Sequence, residues 1–553
     1  MLGWLCRNGL IWAGNVLRAQ CKGPEWIHMV LEGDYPDLRS PRPAFWQRRF
    51  TSPQLSLQEL AERFNVIGLD SRTKGVVLHL RPLSMPFARL QVLRELIATL
   101  QKRGKRVVVW STGYDTANYY VAAAADEILL QEGGRVAPLG LRYEQLFLAN
   151  SLAACGLKLD AIQISPYKSA ADRLTRTNMS KEAREMQNWL LDAQYQELVK
   201  AISDGRGMDE AAAQELVDST PLTDTKAIEL GAVDNIISEE ALPEYLGRLN
   251  SWRRARKVLR RLPAPRQHAY FAVIRVQGTI VDGKSQRPRF APPLPLPFMF
   301  GPRAGDRTVV TLARRALKDK KVKGVLLYID SGGGSATASE AMSAALDKLA
   351  VEKPVVAMMG SVAASGGYYV ATPAHWIIAR PGTITGSIGV LTGKLITAGL
   401  LEKLLINKET LSRGENSGLE GPDRPFTPDE RAKVREFIEN TYELFIRRVA
   451  RARKMDTIAV DLVGGGRVWT GSQALEHGLV DELGGLPEAQ AKLRELAGID
   501  HDIALRELEP SAKDLPLLGE PLAALSYARD SLNLLGPGKV LAASALIWQD
   551  YIR

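Results

Sequence analysis

The 553-residue chain is poor in cysteine and histidine, with three and six respectively, and it has no long uninterrupted apolar run. Cys6, Cys21 and Cys155 are odd in number and far apart, so they make neither a disulfide framework nor a zinc-ligand pattern. No stretch reaches the roughly 18 uncharged apolar residues that a membrane-spanning helix needs. The N-terminus from Met1 to Trp12 is apolar but is broken by Arg7 and Asn8, and it lacks the apolar core of a secretory signal. With two tryptophans and flanking arginines, it reads equally as an interfacial amphipathic helix or as a face packed against the protein. A net charge of +10 is moderate, but Arg253, Arg254, Arg256, Lys257, Arg260, Arg261 and Arg266 concentrate it. A solvated linker is the default reading of that cluster and an anionic-lipid contact the sharper one. Nucleic acid is not expected, because no binding motif accompanies the charge.

What the chain does have is one domain written twice. Lys74-Gly75-Val76-Val77-Leu78-His79-Leu80 recurs as Lys323-Gly324-Val325-Leu326-Leu327-Tyr328-Ile329, and Tyr119-Tyr120-Val121-Ala122 as Tyr368-Tyr369-Val370-Ala371, both at an offset of 249. Gly231-Ala232-Val233-Asp234 matches Gly478-Leu479-Val480-Asp481 at an offset of 247. Solenoid units run to roughly 20–50 residues, so a repeat of this length is a whole domain. The chain divides into an N-terminal extension over 1–52, a first repeat over 53–250, a basic linker over 251–266, a second repeat over 267–500 and a tail over 501–553. Within each repeat, short β-branched runs such as Val325 to Ile329 and Val355 to Met359 alternate with helical segments such as Ser335 to Leu349. That alternation predicts an α/β fold. Thr427-Pro428-Asp429-Glu430 is a helix start, continuing to about Met455 as one long helix or a pair. Pro288, Pro292, Pro293, Pro295, Pro297 and Pro302 surround Leu294, Leu296, Phe298, Met299 and Phe300 in an extended loop, expected by default to pack on the protein or on another subunit, with membrane or substrate contact as the sharper reading.

The two copies differ where chemistry would sit. The second has Ala364-Ser365-Gly366-Gly367, whereas the first has Thr116, Ala117 and Asn118 opposite Ser365, Gly366 and Gly367. The reverse holds for Lys168, which lies opposite Glu415. A serine survives in one copy and a lysine in the other, as expected of two half-sites specialised after duplication. A serine hydroxyl needs a base. No histidine stands in a pattern that points to Ser365, and His375, ten residues downstream, reads as a surface or packing residue. A lysine serves when burial keeps it neutral near neutral pH. Gly366 and Gly367 permit a tight turn that offers backbone N–H groups to an oxyanion. The glycine turn Ser331-Gly332-Gly333-Gly334-Ser335 offers a second donor, and the first copy has Pro82-Leu83-Ser84-Met85 there. Glycine turn and serine are lost together.

Gly332-Gly333-Gly334-Ser335, Ala364-Ser365-Gly366-Gly367-Tyr368-Tyr369, Gly386-Ser387-Ile388-Gly389 and Val468-Trp469-Thr470-Gly471 together resemble signal peptide peptidase A (protease IV) in its long tandem-repeat form, peptidase family S49. The resemblance implies two tandem Clp/crotonase-like domains and a serine endopeptidase with a Ser/Lys dyad and no cofactor or metal. It assigns Ser365 as nucleophile, Lys168 as general base, Ser387 as the group that orients the lysine, and the N–H groups of Gly333 and Gly366 as the oxyanion hole. It also implies peptide substrates (remnant signal peptides or other unfolded chains), a homo-tetramer, and peripheral association with a bacterial cell membrane. Two departures stand out. The family usually reads Asn-Ser-Pro-Gly-Gly-Ser where this chain has Asp330-Ser331-Gly332-Gly333-Gly334-Ser335, and the chain shows no clear membrane anchor. Two other readings remain. Acyl-CoA chemistry on a crotonase-like fold would use Glu340 as its nearest carboxylate, and a non-catalytic scaffold would need no dyad.

Overall fold

The computed structural model describes residues 2–40, 54–263, 266–286, 301–509 and 540–543. The proline-rich loop, apart from its last two residues, and most of the C-terminal tail lie outside the described residues. The chain forms two compact units. Among the described residues, those up to Tyr143 together with Leu191–Gln267 make the first, and Glu144–Leu190 with those from His268 to Ala543 make the second.

The first unit is built on a sheet in the order Leu249–Ser251, Trp26–Gly33, Gly75–Leu83, Arg106–Asp115, Glu127–Ala137 and Leu222–Thr223. All neighbours are parallel except the last pair. Helices cover both faces of such a sheet, so its strands are apolar without alternation. Gly75 to Leu80 are accordingly all buried. The extension expected over 1–52 does not stay outside this body. Trp26–Gly33 pairs with Gly75–Leu83, and Ile27, Met29 and Leu31 lie in the core. The sheet of the first repeat thus begins at Trp26, where only His28 interrupts an apolar run. The basic linker includes the short helix Trp252–Val258, with Ala255 buried.

The second unit repeats the parallel sheet, in the order Val468–Thr470, Ile384–Gly386, Val355–Ala364, Val322–Ser331, Arg266–Gln277 and Ile503–Glu507. Ser335 caps the helix Ala336–Glu352 by accepting from the Ala338 N–H at 3.2 Å. Thr427 and Glu430 form a capping box on Pro428–Arg453, one helix of 26 residues that ends at left-handed Lys454. This α/β architecture of parallel sheets repeated in tandem agrees with the Clp/crotonase-like expectation.

A second sheet in this unit positions the site. Its order is Arg303–Gly305, Thr279–Val281, Gly333–Ser335, Val540–Ala543, Leu391–Ile396 and Lys158–Gln163. Lys158–Gln163 runs antiparallel to Leu391–Ile396 from Lys158↔Ile396 to Gln163↔Leu391. The Asp160 carboxylate accepts from the Phe426 N–H at 2.8 Å and pairs with Arg431. The lysine-bearing segment was expected inside the first repeat. It packs in the second unit instead, because its strand completes the sheet there.

Candidate active site

Ser365 follows the strand Val355–Ala364 and immediately precedes the helix Gly366–Ala371. Its backbone is left-handed, with φ 55° and ψ −117°. A non-glycine residue in so sparsely populated a region carries strain of about 1–3 kcal/mol and is kept only where its surroundings hold it. Here the Ser365 N–H donates to the Gly386 carbonyl at 2.8 Å, one bond of the pairing between Val355–Ala364 and Ile384–Gly386. Gly367 explains the second glycine: a Cβ there would stand 2.4 Å from the Ser331 carbonyl oxygen. The helix can therefore start tight against the glycine turn only with no side chain at this position.

Lys168 lies just beyond the strand Lys158–Gln163. Ile164 N–H donates to the Val390 carbonyl at 3.0 Å, continuing the ladder, and the chain then turns with Lys168 N–H on the Ser165 carbonyl at 3.1 Å. Ser165 Oγ donates to the Gly465 carbonyl. Gly466, at φ 89°, presses on the lysine from the other side, and a Cβ there would lie 2.6 Å from both the N and the Cα of Lys168. The ammonium nitrogen ends 2.7 Å from Ser365 Oγ, 2.8 Å from the Ser387 carbonyl oxygen and 3.0 Å from Ser387 Oγ. Ser387 is itself left-handed at φ 50°, and its N–H donates to the Arg467 carbonyl at 2.5 Å.

Lys168 is 1 % exposed and Ser365 is fully buried. Burial of the charged form drives the Lys168 pKa far below the ordinary lysine range. The nitrogen donates to the Ser365 Oγ and to both Ser387 oxygens, and the Ser365 hydroxyl reaches the Gly389 carbonyl at 3.5 Å.

The Gly333 N–H sits in the glycine turn at φ 96°, where it meets Ser331 Oγ at 3.1 Å. That hydroxyl donates onward to the Gly278 carbonyl at 2.6 Å. Gly366 opens its helix, where the i−4 geometry supplies no carbonyl for its N–H. His375 is occupied elsewhere: its Nδ1 accepts from the Val355 N–H at 3.1 Å, at the far end of the strand from Ser365. Glu340, the carboxylate that acyl-CoA chemistry would need, accepts from Tyr369 and pairs with Arg448.

The first copy shows what was lost. Its turn is capped by Asp115 in an extended conformation, whose carboxylate accepts from the Asn118 N–H at 2.8 Å. Thr116, opposite Ser365, is already inside the helix Thr116–Ala122. The Asn118 side chain, at the position where Gly367 admits none in the second copy, bonds the Leu83 N–H and the Arg81 carbonyl, each at 3.2 Å. Glu415, opposite Lys168, is exposed.

The model for peptidase family S49 matches residues 99–249 and 347–500, one segment in each repeat. The chain belongs to peptidase family S49. It is 32% identical to the chloroplastic serine protease SPPA of Arabidopsis thaliana over 480 residues, 85% of this chain and 70% of that protein. It is 31% identical to Protease 4 of Haemophilus influenzae over 461 residues, covering 79% of this chain and 72% of that one. For Protease 4 of Salmonella typhi the identity is 28% over 495 residues, 86% and 78% of the two chains. As an S49 member it is a serine protease, and its substrates are peptides.

Sequence reasoning gave no positioning role to Gly389, Ser165, Gly465, Gly466 and Arg467, which pack around Lys168 and Ser387. Gly389 leaves room for the lysine stem, since a Cβ there would stand 3.2 Å from Lys168 Cδ. The run Gly464-Gly465-Gly466 was a visible signal, but nothing in the linear order ties it to Lys168.

Proposed function

We propose that this chain is an endopeptidase acting through a Ser365/Lys168 dyad and an acyl-enzyme. The observation that carries the reading is the 2.7 Å separation of Lys168 Nζ and Ser365 Oγ at a site closed to solvent. Neutral Lys168 accepts the Ser365 proton as Oγ attacks a peptide carbonyl carbon. The N–H groups of Gly366 and Gly333 receive the developing oxyanion, with Gly333 exchanging its bond to Ser331 Oγ for it, a contribution of several kcal/mol for such donors. The Lys168 ammonium then protonates the leaving amine, and the C–N bond breaks to give the Ser365 ester. A water molecule, deprotonated by Lys168, attacks the ester; Ser365 recovers its proton as it leaves.

Ser387 supports the same reading as a positioning residue. Its two oxygens hold the amine beside Ser365 Oγ. The lysine comes from the repeat that lost its serine, and the serine from the repeat that lost its lysine. The intended substrates are unfolded apolar segments, signal-peptide remnants among them, and the working assembly is a homo-tetramer associated peripherally with a membrane.

Hydrolysis of a fluorogenic apolar peptide by the parent, Ser365→Ala and Lys168→Ala tests the dyad. Loss of turnover in both variants, with the parental circular dichroism and melting profile, is the expected result. Turnover that persists in either folded variant assigns the nucleophile or the base elsewhere.

A further inference from the structure

The loop that carries the lysine and the turn that orients its amine meet at Arg467. The main-chain carbonyl of Arg467 accepts the Ser387 N–H at 2.5 Å. Its guanidinium carbon lies 4.1 Å from the centre of the ring of Tyr167, the residue immediately before Lys168. Tyr167 also stacks on Trp189, with ring centres 6.1 Å apart and planes 29° from parallel. Trp189 continues the stack onto Trp469 at 4.9 Å and 13°, and its Nε1 donates to the Val468 carbonyl at 2.9 Å. Val468 and Trp469 close the circuit, since they pair with Gly386 and Thr385 just before Ser387. The two segments that the circuit joins, 164–168 and 464–467, lie outside any helix or strand. The second holds Gly464-Gly465-Gly466, a run with wide backbone freedom. Segments of that kind need side-chain contacts to fix their relative position, and an offset of about 1 Å at a reacting group costs up to ~10²-fold in rate. Arg467, Tyr167 and Trp189 are only half-buried, so packing of the core does not account for their arrangement.

We propose that Arg467 and Tyr167 are positioning residues, a side-chain clamp that holds Lys168 and Ser387 in one frame. The proposal rests on the reading of Lys168 as the general base. A guanidinium over an aromatic face is drawn to the ring electrons, and stacked rings have preferred offsets from which sliding is resisted. Together these contacts set where the backbone of Tyr167 stands against that of Arg467. One end of the clamp is a single residue from the base, and the other is a single hydrogen bond from Ser387. The Arg467 side chain also bonds the Gly464 carbonyl at 3.2 Å, which braces the glycine run. The Tyr167 hydroxyl donates to the Glu185 carboxylate at 3.0 Å and so fixes the orientation of the ring. Neither side chain bonds Lys168 Nζ or Ser365 Oγ, so each acts through the main chain.

The test uses the full chain and a fluorogenic apolar peptide. Arg467→Met removes the cation but leaves the carbonyl that holds Ser387, and Tyr167→Leu removes the ring. Each is expected to lower kcat about tenfold, less than the full ~10²-fold of a misplaced group because the backbone bonds remain. KM should stay within about twofold of the parent, as for an interaction that does not touch bound substrate. Arg467→Lys restores a cation and Tyr167→Phe keeps the ring, so both should hold kcat within about threefold of the parent. Two residues that act through one contact are not additive: Arg467→Met combined with Tyr167→Leu should lose no more than the worse single variant, whereas independent effects would multiply to about 100-fold. Parental kcat in both removing variants, a raised KM in place of a lowered kcat, or multiplied losses overturns the proposal. So does a loss in Arg467→Lys as deep as that in Arg467→Met, a comparison that still decides if Tyr167→Leu misfolds. Lys168→Ala, assayed alongside, separates the two kinds of failure. Turnover in that variant refutes the base assignment itself, while an inactive Lys168→Ala beside fully active clamp variants refutes the clamp alone.

Discussion

Gly466→Ala tests whether the position of Lys168, rather than its mere presence, sets the rate. The new Cβ would stand 2.6 Å from the Lys168 N and Cα, and 2.8 Å from its Cβ. Backbone atoms have no rotamer with which to escape, and ordinary contact begins near 3.4 Å, so the lysine must retreat by about 0.8 Å. Transferred to Nζ, that shift lengthens the 2.7 Å approach to Ser365 Oγ to about 3.5 Å, beyond a useful hydrogen bond. Misplacement of about 1 Å costs up to ~10²-fold in rate, equivalent to about 2.7 kcal/mol of transition-state stabilisation. The expected result is a kcat about 100-fold lower, with KM changed by less than about threefold. Strain alone is separated by Gly498→Ala. That glycine is also left-handed, at φ 63°, but has no neighbour within 4 Å. Both substitutions carry the ~1–2 kcal/mol cost of a left-handed L-residue and should lower Tm by a few degrees. Only Gly466→Ala should lose activity. Steady-state hydrolysis and differential scanning calorimetry on the pair decide the matter. A Gly466→Ala enzyme that melts like the control yet retains kcat within threefold of the parent refutes the argument.

The pH profile follows from the buried lysine. Because the Lys168 pKa is far below its ordinary value, kcat/KM should rise along one limb whose midpoint lies well under ~10.4; a limb that survives in Lys168→Ala refutes the assignment. The same shift carries a stability sign. The unfolded chain holds the lysine proton at pH values where the folded chain has released it, so stability rises with pH between the folded and unfolded pKa values. Lys168→Met should accordingly raise Tm at neutral pH, by a margin that shrinks towards pH 10, and calorimetry across pH checks this. Co-expression of Ser365→Ala with Lys168→Ala should regain no activity, because Lys168 and Ser365 of one chain already meet; recovery to a tenth of parental turnover or more would mean shared sites. In the N-terminal helix Leu2–Gln20, Leu10, Trp12 and Leu17 are exposed. Co-sedimentation with anionic vesicles should therefore fall several-fold in Trp12→Ser, and equal sedimentation refutes membrane docking through this face.

Much of the fold was readable because duplication supplied an internal comparison. The offset of 249 placed Ser365 against Thr116 and paired the strands of one repeat with those of the other. The runs Val325–Ile329 and Val355–Met359 read as interior strands because both faces of a parallel sheet are covered. Other features had no linear signal. Trp26–Gly33 looked like an extension because its partner strand lies 49 residues away, and sheet pairing alone brings them together. The glycine run at 464–466 gains its meaning only from the Lys168 backbone, some 300 residues earlier. A tight turn at Ser365 was implied by the two glycines that follow, whereas the positive φ at Ser387 had no comparable cue.

Strand addition accounts for how a lysine from one repeat comes to lie beside a serine of the other. Lys158–Gln163 contributes backbone bonds to Leu391–Ile396, and the bond from Ile164 N–H to the Val390 carbonyl carries the ladder to the edge of the site. Register sets side-chain placement in such a pairing, since a slip of one residue would turn every side chain to the opposite face. Once this strand fixed the lysine, the first repeat no longer needed a strained turn of its own. Its Asp115-capped helix and the Asn118 bonds to Arg81 and Leu83 are what a relaxed version of the turn looks like. The corresponding stretch of the second repeat, offset by 247, begins near Leu405 and forms no strand, and Leu405 and Leu411 are almost fully exposed there. On the proposed dyad, each repeat has kept the costly half of the site that the other has given up, with strain at Ser365 in one and a fully buried lysine amine in the other.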